Sequence, residues 1–198
     1  RSKSAREAIK VMTDLVAEYG YYSSGESFSI ADKNEVWIME MVGKGVGNKG
    51  ALWVAIRIPD DCIAAHANQS RIHQIPFDDK ENCMYAPDVV SYAREKGYFK
   101  GKDKDFSFAN AYCPYDFSGL RACEARLWSF FRLYDKGMSK YEAFVRGDAT
   151  KEPMPLYIKP DRKLSVQDVQ QAMRNHYEGT SMDMTKDIGA GAYKVPYR

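Results

Sequence analysis

No stretch of roughly 20 consecutive apolar residues occurs, so nothing in the sequence is suited to cross a bilayer as a helix. Charge of one sign is not in surplus either: 29 Lys and Arg face 27 Asp and Glu, a net charge of +2. That balance gives a phosphate backbone little to hold, which argues against nucleic acid as a partner. Histidine is scarce. His66, His73 and His176 are the three imidazoles. Their spacing fits no compact zinc pattern, and no metal or other cofactor is expected. The four cysteines, Cys62, Cys83, Cys113 and Cys123, form no Cys-x-x-Cys pair. Two disulfides are open to them, but free buried thiols suit a chain large enough to rely on its own core.

Familiar catalytic and nucleotide motifs are also missing. There is no Gly-x-Ser-x-Gly elbow to expose a serine nucleophile. Gly45-x-Gly47-x-x-Gly50 matches the dinucleotide fingerprint in letters only. A strand pattern follows it where a helix N-terminus would have to meet the pyrophosphate, so the segment reads as a glycine-rich hairpin loop. It lacks the Gly-Lys-Ser/Thr order of a phosphate-cradling loop as well.

What the sequence does contain is 44% apolar residues over 198 positions, enough for a real core. Ser4 to Tyr19 reads as a helix: Ser4 caps it, Glu7 completes a capping box, and Gly20 stops it. Ala8, Val11, Met12, Leu15, Val16 and Tyr19 form its expected apolar face. Four strands then follow at short intervals: Phe28 to Ala31, Val36 to Val42, Ala51 to Ile58 and Cys62 to Asn68. Asp32-Lys33-Asn34 and Pro59-Asp60-Asp61 supply turns, and the pattern predicts an antiparallel meander. The second half is mainly helical, at Pro87 to Tyr98, Phe106 to Tyr112, Leu120 to Tyr134 and Val166 to His176. A short strand is expected at Leu156 to Ile158, and irregular backbone from Gly179 on. The fold class is α+β, antiparallel strands with flanking helices.

Two places invite chemistry. Ala65-His66-Ala67-Asn68-Gln69-Ser70-Arg71 ends the expected fourth strand in a row of polar groups, and a side-chain amide there can donate to a developing oxyanion. On an ideal strand His66 and Asn68 share a face. Arg126, in Ala125-Arg126-Leu127-Trp128, stands on an otherwise apolar helix. It is either a snorkelling surface arginine or a fixed cation able to favour a thiolate.

Longer ordered strings carry a resemblance. Tyr22-Ser23-Ser24-Gly25-Glu26-Ser27-Phe28, Trp37-Ile38-Met39-Glu40, Trp53-Val54-Ala55-Ile56-Arg57-Ile58-Pro59-Asp60-Asp61 and His66-Ala67-Asn68-Gln69 form its first half. Arg126-Leu127-Trp128, Pro155-Leu156-Tyr157-Ile158-Lys159-Pro160-Asp161 and His176-Tyr177-Glu178-Gly179-Thr180 continue it. The chain resembles the dipeptidase A type of N-terminal-nucleophile cysteine peptidases, relatives of bile-salt hydrolases and penicillin V acylases. The resemblance implies an αββα sandwich and cofactor-free hydrolysis of dipeptides through an acyl-enzyme on an N-terminal Cys. It assigns Asn68 to the oxyanion hole and Arg126 to the flank of the nucleophile; His66, by sharing a strand face with Asn68, is a weaker substrate-binding candidate.

Position 1 is Arg, however, and no Cys is near it. Residues 1–198 are therefore expected to be an interior portion of the hydrolase domain. The N-terminal nucleophile segment and a C-terminal segment would lie elsewhere, and the portion alone would be inactive. Acyl-amide hydrolysis on the same fold, or a non-catalytic binding or assembly role, are the alternatives. Unpaired sheet edges lead to the expectation of a homo-oligomer.

Overall fold

The computed structural model describes residues 2–186. It divides into two compact units, Arg1–Tyr115 and Asp116–Arg198. Mixed helices and antiparallel strands make the fold α+β.

The first unit begins with helix α1, Ala5–Tyr19. Ser4 caps it, its hydroxyl accepting the Glu7 amide, and the Glu7 carboxylate in turn accepts the Lys3 amide. Gly20 closes it at φ 93°, a conformation in which a side chain would be strained. Strands β1 (Gly25–Ala31), β2 (Val36–Gly43) and β3 (Ala51–Ile58) follow, then the short β4 (Ile63–Ala64) and β5 (Cys83–Tyr85). One antiparallel sheet has the order β1-β2-β3-β5.

The meander therefore holds for three strands, and its fourth member differs from expectation. The place beside β3 belongs to Cys83–Tyr85, while Cys62 to Asn68 is extended as a strand only at Ile63–Ala64. The reason is local. Arg57 and the residues after it turn away at Pro59, and the polar segment beyond Ala65 finds its hydrogen-bond partners on side chains. The glycine-rich segment is a hairpin loop as expected, with Gly45, Gly47 and Gly50 all at positive φ between β2 and β3.

Alternation sorts the sheet into two faces. Ile30, Trp37, Met39, Met41, Ala51 and Ala55 share one face and form a core with Ala5 and Ile9 of α1; Ala8, Met12 and Val16 pack against it. This is a narrower stripe of the helix than expected. Val11, Leu15 and Tyr19 are exposed, because the Ala5–Ile9–Met12–Val16 line is the one that meets the sheet. Asp32 ties helix to strands: its carboxylate accepts the Ala5 amide at 2.8 Å as well as the Asn34 and Glu35 amides of the β1–β2 turn. Arg6 pairs with Glu35 through two guanidinium nitrogens and lies over the Trp37 ring. The opposite face of the sheet carries Ile38, Leu52 and Val54, all buried, and Glu40 among them.

Two short helices complete the unit, α2 (Val89–Glu95) and α3 (Phe108–Tyr112). Each is shorter than its sequence pattern, since α2 gives way to Gly97 at positive φ and Ser107 caps α3 from within the expected range.

The second unit is built on one continuous helical run. A π-helical segment, Gly119–Glu124, runs directly into α4, Ala125–Phe131. Leu120, Cys123, Leu127 and Phe131 are buried along it. The Trp128 indole donates to the Met138 carbonyl at 2.8 Å and fixes the next turn. Helix α5 (Glu142–Val145), strand β6 (Tyr157–Ile158) and helix α6 (Val166–Ala172) follow. A full capping box between Ser165 and Asp168 starts α6. The irregular tail expected from Gly179 on is turns as far as Lys186, and its remainder lies outside the described residues.

Candidate active site

Glu40 is the informative residue of the first unit. It stands in the middle of β2 and is 2% exposed, a carboxylate among apolar neighbours. Burial pushes its pKa up, opposed by the hydrogen bonds it accepts and by the Arg71 charge. Those bonds come from three successive residues. Oε2 accepts the Ser70 hydroxyl at 2.5 Å and the Ile72 amide at 3.2 Å, and Oε1 accepts the Arg71 amide at 2.7 Å. The Arg71 side chain, also 2% exposed, donates back to the Ala65 carbonyl at 3.3 Å. A carboxylate on a rigid strand thus clamps the segment that follows β4.

The same segment is held from a second side. The Gln69 amide donates to the Cys113 carbonyl at 2.6 Å, and its nitrogen is 3.4 Å from the Cys113 sulfur. Backbone amides of Phe108 and Ala109, in the first turn of α3, donate to the carbonyls of His73 and Ile72. Just before these anchors the chain bends sharply. Ala67 and Gln69 bridge each other, and Asn68 forms the exposed tip.

Asn68 lines a cleft of about 310 Å³. Its other walls are Ser24 to Ser27 at the start of β1, Glu40 to Val42 of β2, Phe108 at the start of α3, and Tyr112 and Cys113 at its end. The cleft lies within the first unit. Its polar groups converge beside an apolar wall, the usual form of a small-molecule site.

His66 has a separate environment. Its Nε2 is 3.0 Å from the Ser29 hydroxyl on β1, and the imidazole is not among the residues lining the cleft. Since residues 65–68 are not a regular strand, the alternation that put His66 and Asn68 on one face does not apply to them. Burial holds the His66 pKa below the usual imidazole range, partly offset by Glu26, with Arg71 lowering it further. His73 is likewise lowered, first by burial and then by Arg71; its Nδ1 is 3.1 Å from the Ser107 hydroxyl and its Nε2 3.3 Å from that of Tyr115.

Arg126 belongs to the second unit. It is exposed on the first turn of α4, and its Nε donates to the Ala122 carbonyl at 2.7 Å, in the π-helical segment one turn back. It shares its surroundings with Arg121, whose guanidinium lies 5.9 Å from the centre of the Tyr177 ring. Burial raises the Tyr177 pKa, while Arg121 and Arg126 pull it down, so both cations act on one phenol.

The cysteines are free thiols. Cys83 and Cys123 are buried; burial, with a smaller contribution from Asp79, pushes the Cys83 thiol up to about 12. Among the described residues no group of three or more His, Cys, Asp or Glu side chains is arranged to hold a metal ion. Among them, too, no helix is long and apolar enough to cross a membrane.

Comparison with known proteins gives this geometry a setting. The model of peptidase family C69 matches residues 1–198. A probable dipeptidase of Latilactobacillus sakei is 30% identical over 195 residues, 98% of this chain and 38% of that protein. A probable dipeptidase of Salmonella dublin is 29% identical over 184 residues, 92% of this chain and 39% of its own. Dipeptidase A of Lactobacillus helveticus is 27% identical over 197 residues, covering 98% and 38%. The chain thus spans less than two fifths of the length of these relatives.

Proposed function

The chain belongs to peptidase family C69, and on that premise we propose that it supplies the oxyanion donor and one cleft of a cysteine dipeptidase. The observation that carries the reading is Asn68: an amide at the exposed tip of a turn whose C-terminal limb is anchored at Gln69 and Arg71, lining a cleft of dipeptide scale. In this reading residues 1–198 are an interior portion of an αββα hydrolase domain, inactive alone, and the dipeptide is bound and cut by the whole protein.

The chemistry needs a thiolate and a base near neutral pH. An N-terminal Cys provides both, because a free α-amine titrates near about 8 and can take the proton of its own thiol. None of the four cysteines here is N-terminal. Cys83, with its thiol pushed up to about 12, is the opposite of an activated nucleophile. The attacking thiol in this proposal therefore comes from sequence outside these residues. Its sulfur bonds to the carbonyl carbon, the carbonyl π pair moves onto oxygen, and the Asn68 amide donates to that oxyanion. Collapse expels the amine, which leaves with a proton from the α-ammonium group. Water then hydrolyses the thioester through the same tetrahedral geometry. Arg126 is assigned to the flank of the thiol, where a fixed cation favours the thiolate. His66 is kept as a weaker contact to substrate.

A homo-oligomer belongs to the same proposal, supported by the exposed edge strand β1 and by the exposed side chains of Tyr22 and Val46.

The test is a panel of dipeptides and N-acylated amino acids offered to the full-length enzyme, with the covalent intermediate trapped and located by peptide mass. Location by mass matters because Cys113 also lines the cleft. The expected result is turnover of dipeptides and an acyl group on an N-terminal Cys. Preference for acylated amino acids would move the protein to the acyl-amide hydrolases. No turnover of either class and no adduct would leave a binding or assembly domain.

A further inference from the structure

The clamp beneath the Asn68 turn is unusual in its economy. One buried carboxylate satisfies two successive backbone amides and one hydroxyl of the segment Ser70 to Ile72, immediately after the residue pair that carries the cleft amide. Backbone amides buried without partners are costly, so a cheaper fold would have paired them in a strand ladder. The edge of β3 offers no such ladder, since β5 pairs with it. Glu40 does that work through a side chain, from the middle of the most rigidly paired strand of the sheet, hydrogen-bonded to β1 on one side and β3 on the other.

We infer that Glu40 is the positioning residue of the candidate oxyanion amide, holding the Asn68 turn at its working place in the cleft. The inference rests on the reading of Asn68 given above. Glu40 is not assigned a contact with substrate. Its action passes through the backbone of Ser70, Arg71 and Ile72, with Gln69 fastened to Cys113 as the opposing anchor. The geometry explains why the residue is Glu. Gln would offer an NH₂ group to at least one of the two amide donors that now meet oxygen, and Asp would fall short by one methylene. It also explains why the turn can be exposed at its tip yet fixed at its base.

The experiment is a double-mutant cycle in the full-length enzyme with Glu40→Gln, Asn68→Ala and the pair, assayed by dipeptide hydrolysis with kcat and KM resolved. A displacement of the amide of about 1 Å is expected to lower kcat roughly 100-fold with KM little changed. In the Asn68→Ala background the further loss from Glu40→Gln should vanish, because the group being positioned is gone. Equal losses from Glu40→Gln in both backgrounds, or an unchanged kcat in folded Glu40→Gln, would overturn the inference. Full kcat in Asn68→Ala alone would instead remove the oxyanion reading on which it rests, so the two failures are distinguishable. Should Glu40→Gln not fold, Ser70→Ala deletes one of the three bonds. A smaller loss of kcat, again absent without Asn68, supports the inference, and an equal loss in both backgrounds opposes it.

Discussion

Glu40 was missed as a site residue, although the signal was there, a lone carboxylate in Trp37-Ile38-Met39-Glu40-Met41-Val42. An acid at a buried strand position needs donors, and the donors turned out to be amides some 30 residues away in sequence. Spacing along the chain could not identify them. Asn68 was legible as a candidate from its polar neighbours, but its exposure at a bend rather than on a strand face depends on that distant clamp. Arg126 was legible as a cation on an apolar helix, while the π-helical carbonyl that receives its Nε was not. The cysteines illustrate the same scale. Free thiols were expected, and they are free, yet two of the four are only partly buried. With its thiol at about 12, Cys83 is expected to resist iodoacetamide at pH 8 in the folded protein. Peptide mapping should find Cys62 and Cys113 alkylated before Cys83. Equal labelling of Cys83 under native conditions would show its burial to be wrong.

Among the elements, α1, α4, α6 and the first three strands followed directly from apolar periodicity, caps and turn residues, whereas the short α5 was not expected. The missed strand has a physical cause. Cys62 to Asn68 has strand composition, but composition cannot say that the chain turns at Pro59 and that the residues beyond Ala65 take side-chain partners, which leaves only Ile63–Ala64 as strand. Asp32 shows how an element boundary becomes a tertiary contact. Its carboxylate accepts amides from the β1–β2 turn and from the first turn of α1, and the Ala5 amide, followed by the Asn34 amide, does most to hold its pKa below the usual carboxylate range. A group with a depressed folded pKa adds stability that is complete above its unfolded value, about 4, and is lost as pH falls through the folded value. Asp32→Ala is therefore expected to lower Tm at pH 7, and the gap to wild type should shrink as pH falls below about 4. Thermal melts of the full-length protein across that range test this. Parallel curves for the two proteins would mean that the Asp32 carboxylate does not link helix to sheet.

For the molecule as a whole, the two units divide the proposed labour. The first carries the cleft, its amide and the clamp below it; the second carries Arg126 on α4 near Arg121 and Tyr177. Both belong to a chain of peptidase family C69, whose relatives named above are more than twice its length, and the proposed nucleophile is not among residues 1–198. The claim that joins these parts is that an attacking thiol meets the amide of Asn68. The most direct measurement is steady-state dipeptide hydrolysis by full-length Asn68→Ala. Loss of one oxyanion donor should cut kcat by about 100- to 1,000-fold, roughly 3–4 kcal/mol of transition-state stabilisation, with KM nearly unchanged. A folded Asn68→Ala enzyme that retains wild-type kcat would contradict the account.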